Sequence, residues 1–166
     1  MTEKAYSPVQ NLVQKMAATK PGSWFFARTL HTFDRVVVRM THGRTTLTSI
    51  LSGLPVVLLT TTGAKSGLPR TLPLICLQDN DDANTIAIVA SNWGQHKNPA
   101  WYYNLKANPQ AKGRIKGIEK SYVAREATGA EYEKFWQQAM NTYPGFPNYK
   151  IRASHRHIPI MVLRTK

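Results

Sequence analysis

The chain has 166 residues, of which 42% are hydrophobic and 19% charged. That size and balance fit one globular domain with its own core and exclude a disordered chain. A formal net charge of +13 directs attention to an anionic partner: nucleic acid, an anionic membrane or a polyanionic ligand. The single cysteine, Cys76, excludes an internal disulfide, and no apolar run approaches the roughly 18 residues of a membrane-spanning helix.

The first residues, MTEKAYSPVQ, lack the charged-then-apolar layout of a secretory signal, so the expected location is the cytoplasm. Residues 7–20 read as a first helix or a mobile arm. Ser23 is placed to cap a helix running to about Thr41. Phe26, Leu30, Phe33 and Val37 recur there at helical spacing, with Arg28, His31, Arg35 and Arg39 as a second stripe. His42-Gly43 ends it. Short apolar runs follow: LPVVLLTTT, RTLPLICLQ, TIAIVAS, a hairpin around Gly117 made of GRIKG and KSYVAREA, and a final IPIMVLRT. Asn98 is expected to cap PAWYYNLKAN with Pro99 at the first helical position, and Thr128 to cap a helix with Glu131 in capping-box position. About six short strands with few intervening helices predict a mainly β chain with flanking helices (α+β). Its antiparallel sheet is closed or nearly closed as a barrel, and a doubly wound parallel sheet fits poorly. The organisation expected is a helical segment over residues 1–50, packed on or beside a barrel domain over 51–166.

Charge is unevenly spread. No acid lies between Asp34 and Asp79, nor between Asp82 and Glu119, while ten Lys and Arg fall in those two intervals. Three stretches stand out. In TTTGAKSGLPR, Lys65, Ser66 and Arg70 cluster on a Gly-interrupted turn between two strands. Backbone amides and cations together suit a phosphate, although neither a P-loop nor a G-x-G-x-x-G order is present; the plainer alternative is a hairpin with a surface lysine. In ASNWGQHKNPAWYYNL, a strand end and polar loop lead into a helix, and Ser91 and Asn92 are placed to meet a ligand's edge. Trp93, Trp101, Tyr102 and Tyr103 offer flat apolar surface, though Trp101 and Leu105, at i and i+4, are expected in the core. YPGFPNY, residues 143–149, reads as an aromatic loop, either a cavity lid or a barrel-end plug. His155 and His157 would share one side of a strand, but nothing supplies a third zinc ligand, so no metal is expected. No acid/base pair or Ser-His-Asp set can be singled out, which leaves the chemistry to a bound cofactor.

These three stretches, in this order, together with the terminal IPIMVL, resemble the deazaflavin (F420)-dependent nitroreductase and quinone reductase family over roughly residues 39–163. The resemblance implies a split β-barrel of FMN-binding-like type. It also implies an oxidoreductase using coenzyme F420, whose phosphate and carboxylate tail would answer the basic turn; FMN is the alternative cofactor. Carried onto this chain, it puts Ala64, Lys65, Ser66 and Arg70 on the phosphate side. Thr71, Leu72, Pro73, Leu74, Ile75 and Cys76 fall along the ring system, and Ala90, Asn92, Ala100, Trp101, Tyr102, Tyr103 and Asn104 on further cofactor contacts. Ser91, Tyr143 and Tyr149 would orient the acceptor, with Phe146 in the substrate pocket. Phe146 stands where the family has a tyrosine, Asn92 where a lysine is frequent and Ala64 where an arginine is frequent. The implied acceptor is a quinone such as menaquinone, or another electron-poor nitro or enone compound. The basic stripe on the long helix adds an anionic membrane as a partner, at the inner face of the cell membrane. A non-catalytic deazaflavin- or flavin-binding protein is the alternative. No nucleic-acid motif appears and the basic residues are dispersed, so specific nucleic acid is not expected.

Overall fold

Seven strands pair in the order β2-β1-β5-β6-β7-β4-β3, every neighbour antiparallel. They are β1 Val56–Thr62, β2 Pro69–Ile75, β3 Leu77–Gln78, β4 Thr85–Val89, β5 Gln110–Ile115, β6 Ile118–Glu126 and β7 Ile160–Thr165. Among the described residues six helices flank them: α1 Pro8–Ala18, α2 Lys20–Met40, α3 Leu47–Ser52, α4 Ala100–Ala107, α5 Gly129–Thr142 and α6 Gly145–Arg152. The computed structural model describes residues 6–41 and 44–166. Within α2, the side chains of residues 27, 28, 30–33, 35, 36 and 39 fall outside that description. The basic stripe Arg28, His31, Arg35 and Arg39, the apolar pair Leu30 and Phe33, and the His42-Gly43 stop are therefore expectations on residues outside the described set.

The curl of the sheet follows from one residue. β2 and β3 are the two edge strands, yet only Cys76 separates them in sequence. The edges must meet at Cys76, whose N–H is tied to the Pro55 carbonyl at 3.0 Å. Beyond that point β2 and the end of β4 share no ladder among the described pairings, so the sheet is a split barrel.

Strand alternation is preserved although both faces are covered. In β4 and β7, Ala87, Val89, Ile160 and Val162 join a core with Phe135, Trp136 and Ala139 of α5. Ile86, Ile88, Met161 and Leu163 point the other way, into the curl, with Val57, Leu59, Trp101 and Leu105. Trp101 and Leu105 are thus core residues, at 4% and 1% exposure, as their spacing predicts. The expected hairpin is β5–β6, turning on Lys116 and Gly117, both at positive φ.

Several local expectations are corrected. RTLPLICLQ is two strands, because the chain changes sheet edge at Cys76. The segment after Tyr143 is mostly helix, not loop: Pro144 and Pro147 fall at the start of α6, where a missing N–H breaks no intrahelical bond. The long helix begins at Lys20 instead of behind a Ser23 cap. Thr19 alone separates it from α1, its hydroxyl accepting from the Gly22 N–H at 3.1 Å, and Ser23 Oγ donates back to the preceding turn. Pro99, not Asn98, occupies the cap position of α4. Thr128 makes no side-chain cap, and the Glu131 carboxylate pairs with Arg125 in place of closing a capping box. His155 and His157 lie before β7 and diverge: the former stacks on His96, the latter on Tyr132.

Candidate functional site

The split holds a cavity of about 1380 Å³, bounded by β2, the β1–β2 turn, the end of β4 with the loop after it, the start of α4, and the inner faces of α1, α2, α3 and α6. One end is built for an anion. In the Gly63–Leu68 turn, Gly63 N–H donates to Leu68 O at 2.9 Å and Gly67 N–H to Gly63 O at 2.8 Å. The Leu68 N–H reaches Ser66 Oγ at 3.3 Å. Asn104 of α4 anchors this turn from below: its Oδ1 accepts the Ala64 N–H and its Nδ2 donates to Thr61 Oγ1, each at 3.0 Å. That leaves the Lys65 and Ser66 amides without an acceptor among the described residues. The Lys65 and Arg70 side chains, both exposed and lining the cavity, have no acidic partner among them either. Free amides beside unpaired cations are what an anionic group binds.

The other end is aromatic and closed. Tyr143, Phe146 and Tyr149 are at most 4% exposed and meet edge to face or tilted, with ring centroids 5.4–6.2 Å apart. The Tyr149 hydroxyl donates to the Ala17 carbonyl at 3.0 Å, and the two phenols lie 3.0 Å apart. Tyr149 has one proton and gives it to Ala17, so Tyr143 must donate to Tyr149. Burial raises both phenol pKa values, so both stay neutral through the physiological range. Arg152 locks the same corner, donating to Ser23 Oγ at 2.9 Å and to the Ala18 carbonyl, with its guanidinium 5.6 Å from the Tyr149 ring centre. Neither phenol has a spare proton for a ligand in this arrangement. Ser91, 8% exposed, lines the cavity, and its hydroxyl has no partner among the described residues.

Gly145 keeps the phenols in place, because a Cβ there would lie 2.2 Å from Tyr143 Cε1 and 2.6 Å from its hydroxyl. Gly145→Ala is therefore expected to cost about 1–3 kcal/mol by forcing a buried ring aside, read as a lower midpoint in urea with a changed near-ultraviolet tyrosine signal.

Most of the expected site residues come together. Ala64, Lys65, Ser66, Arg70, Thr71, Leu72, Pro73, Leu74, Ile75, Ser91, Asn92, Ala100, Trp101, Tyr103, Asn104, Tyr143, Phe146 and Tyr149 all line the one cavity. Three do not reach its wall. Cys76 and Ala90 are buried in the core inside the curl, and the Tyr102 phenol turns away to Glu126 at 3.1 Å. Burial pushes the Cys76 thiol up to about 12. Ellman's reagent is expected to leave it unmodified in the native protein at pH 8 and to titrate one thiol in denaturant.

The helical wall adds residues that the sequence patterns did not single out for the site. Gln14 and Asp34, at 3% and 1% exposure, line the cavity as polar groups. Gln14 Nε2 donates to Ser52 O at 2.6 Å, and the Asp34 carboxylate accepts from the Thr48 N–H and hydroxyl at 3.0 and 2.5 Å. The signal in sequence is Asp34 itself, the one acid in α2.

The F420H(2)-dependent quinone reductase family model matches residues 32–165. An F420H(2)-dependent quinone reductase of Mycobacterium tuberculosis (strain ATCC 25618 / H37Rv) is 38% identical over 112 residues, spanning 66% of this chain and 72% of the relative. A solved F420-H2 dependent reductase, FDR-A, superposes with a TM-score of 0.59 at 39% identity, covering 66% of this chain and 94% of that one. A second solved structure, described as a domain-swapped dimer, gives 0.63 at 34% identity over 87% of this chain and all (100%) of its own.

Proposed function

The chain belongs to the F420H(2)-dependent quinone reductase family, and from that membership we propose that it is an F420-dependent oxidoreductase that passes a hydride to a quinone. The observation that carries this reading is a single cavity with unspent amides and unpaired cations at one end and a buried aromatic corner at the other. The residues fit the cofactor. Lys65, Arg70 and the free Lys65 and Ser66 amides would hold its phosphate and carboxylates, while Leu72, Pro73, Leu74 and Ile75 of β2 would flank its ring system. Reduced F420 supplies the hydride when bound. Ser91, whose hydroxyl is uncommitted, orients the acceptor and donates to the oxygen on which charge develops. Tyr143, Phe146 and Tyr149 exclude water and stack against an apolar ring. Tyr149 can donate to the acceptor only after its bond to Ala17 is released, and Tyr143 only by giving up its bond to Tyr149.

A membrane-dissolved quinone such as menaquinone fits the outer surface. Val9, Leu12 and Met16 form one exposed face of α1, with Trp24, Phe25 and Ile151 also exposed and Lys15 and Lys20 nearby in sequence. Such a face suits the surface of an anionic bilayer at the inner side of the cell membrane. No helix among the described residues is long and apolar enough to cross one. Flotation with anionic liposomes is expected for the wild type and to be lost in Leu12→Glu/Met16→Glu; equal flotation dismisses this surface. The activity itself is tested by anaerobic mixing of the protein, reduced F420 and a menaquinone analogue, following cofactor absorbance. Oxidation of the cofactor that depends on both protein and quinone is expected, and none above the protein-free rate rejects the proposal.

A further inference from the structure

The loop between β4 and α4 supplies Ser91, Asn92, Trp93, Asn98 and Pro99 to the cavity wall, and its backbone is unusual. Asn92, Trp93 and Gly94 have successive φ values of 48°, 58° and 75°. Glycine adopts that region freely and asparagine at little cost, so Trp93 above all must be held there. Gly94 also has no room for a side chain, since a Cβ would sit 2.9 Å from that of Arg152. Local bonds go part of the way: Gly94 N–H to Ser91 O at 2.9 Å, Gln95 N–H to Asn92 O at 3.0 Å and Asn92 Nδ2 to Lys97 O at 2.8 Å.

His155 holds one further point, its Nε2 3.2 Å from His96 O, and the remaining ties come from one side chain after α6. The Arg156 guanidinium donates through Nη2 to Ser91 O at 2.9 Å and through Nε to Gln95 O at 3.0 Å. Its Nη1 donates to Asn98 Oδ1 and to His157 O, the latter at 3.2 Å. One planar fork thus ties the beginning, middle and end of the loop. No acid pairs with it among the described residues, although burial disfavours its charge. Its four acceptors are all neutral oxygens.

We propose that Arg156 is a positioning residue that holds the Ser91–Asn98 loop around its left-handed Asn92–Gly94 turn and so sets the shape of the wall against which the cofactor and acceptor bind. The ligand part of this inference rests on the proposed F420 site. Arg156 is not among the residues lining the cavity, and it acts by geometry: a lysine would keep the charge and lose the fork.

The test compares wild type, Arg156→Ala and Arg156→Lys by amide hydrogen exchange and by fluorescence titration with F420. In both variants the amides of residues 92–95 are expected to exchange about tenfold faster, with β4 and β7 unchanged, and the Kd for F420 to rise about tenfold. Unchanged exchange over residues 92–95 overturns the inference, as does faster exchange with an unaltered Kd. Full recovery by Arg156→Lys also overturns it, because charge alone would then suffice. A wild type that binds no F420 overturns the proposed cofactor instead, and loop exchange in the variants then decides the role of Arg156 by itself.

Discussion

Replacing Lys65 and Arg70 together with alanine is expected to weaken F420 binding by about a hundredfold, and either change alone by about tenfold. Both cations stand at the cavity mouth without an acid partner among the described residues, so nothing offsets their attraction for an anion. Both are exposed, so salt screens them, and the wild-type Kd should rise with ionic strength more steeply than that of the double variant. Stability should hardly change, because neither side chain makes an ion pair among the described residues and surface substitutions of this kind are usually within about 0.5 kcal/mol. A double variant that binds F420 as the wild type does would remove the basic turn from the site.

Asn104→Ala should have the largest effect on stability, a loss of about 2–4 kcal/mol. The residue is 8% exposed, and its amide makes both of its bonds inside the protein, to the Ala64 N–H and to Thr61 Oγ1. Truncation strands a backbone donor and a hydroxyl that is itself nearly sealed from water. The turn carrying Lys65 also loses its anchor, so F420 affinity should fall with stability. Asn104→Asp separates the two effects. The carboxylate can still accept from Ala64 N–H and from the Thr61 hydroxyl, which restores much of the stability, but it sets a negative charge under an anion site. Urea unfolding and F420 titration of both variants check this: the aspartate variant should unfold nearer to wild type and bind no better than the alanine variant.

The strands were legible because β-branched runs bounded by Gly, Pro and Asn have few other options, and the hairpin at Gly117 because the turn needs positive φ. The two-residue β3 was not, since its identity depends on Cys76 carrying the chain across the split. Pro144, Gly145 and Pro147 read as loop residues because proline usually stops helices; at a helix start it does not. For the site, the basic turn was visible as chemistry in sequence. Asn104 was expected at the cofactor, yet its amide serves a turn far away along the chain, and only tertiary packing shows that. Cys76 and Ala90 follow their neighbours in sequence, but the chain leaves the cavity wall at those points. The helical wall was invisible for a different reason: α1 and α2 look like ordinary amphipathic helices until their inner faces are seen to close the cavity.

The α1–α2 junction is held by Tyr149 and Arg152 through main-chain oxygens of Ala17 and Ala18. Such a grip reads spacing, not identity. Replacing Ala17 or Ala18 by serine should leave both bonds in place, whereas deleting one residue of α1 ahead of Ala17 would rotate those oxygens by about 100° relative to the rest of the helix and turn them away from the phenol and guanidinium.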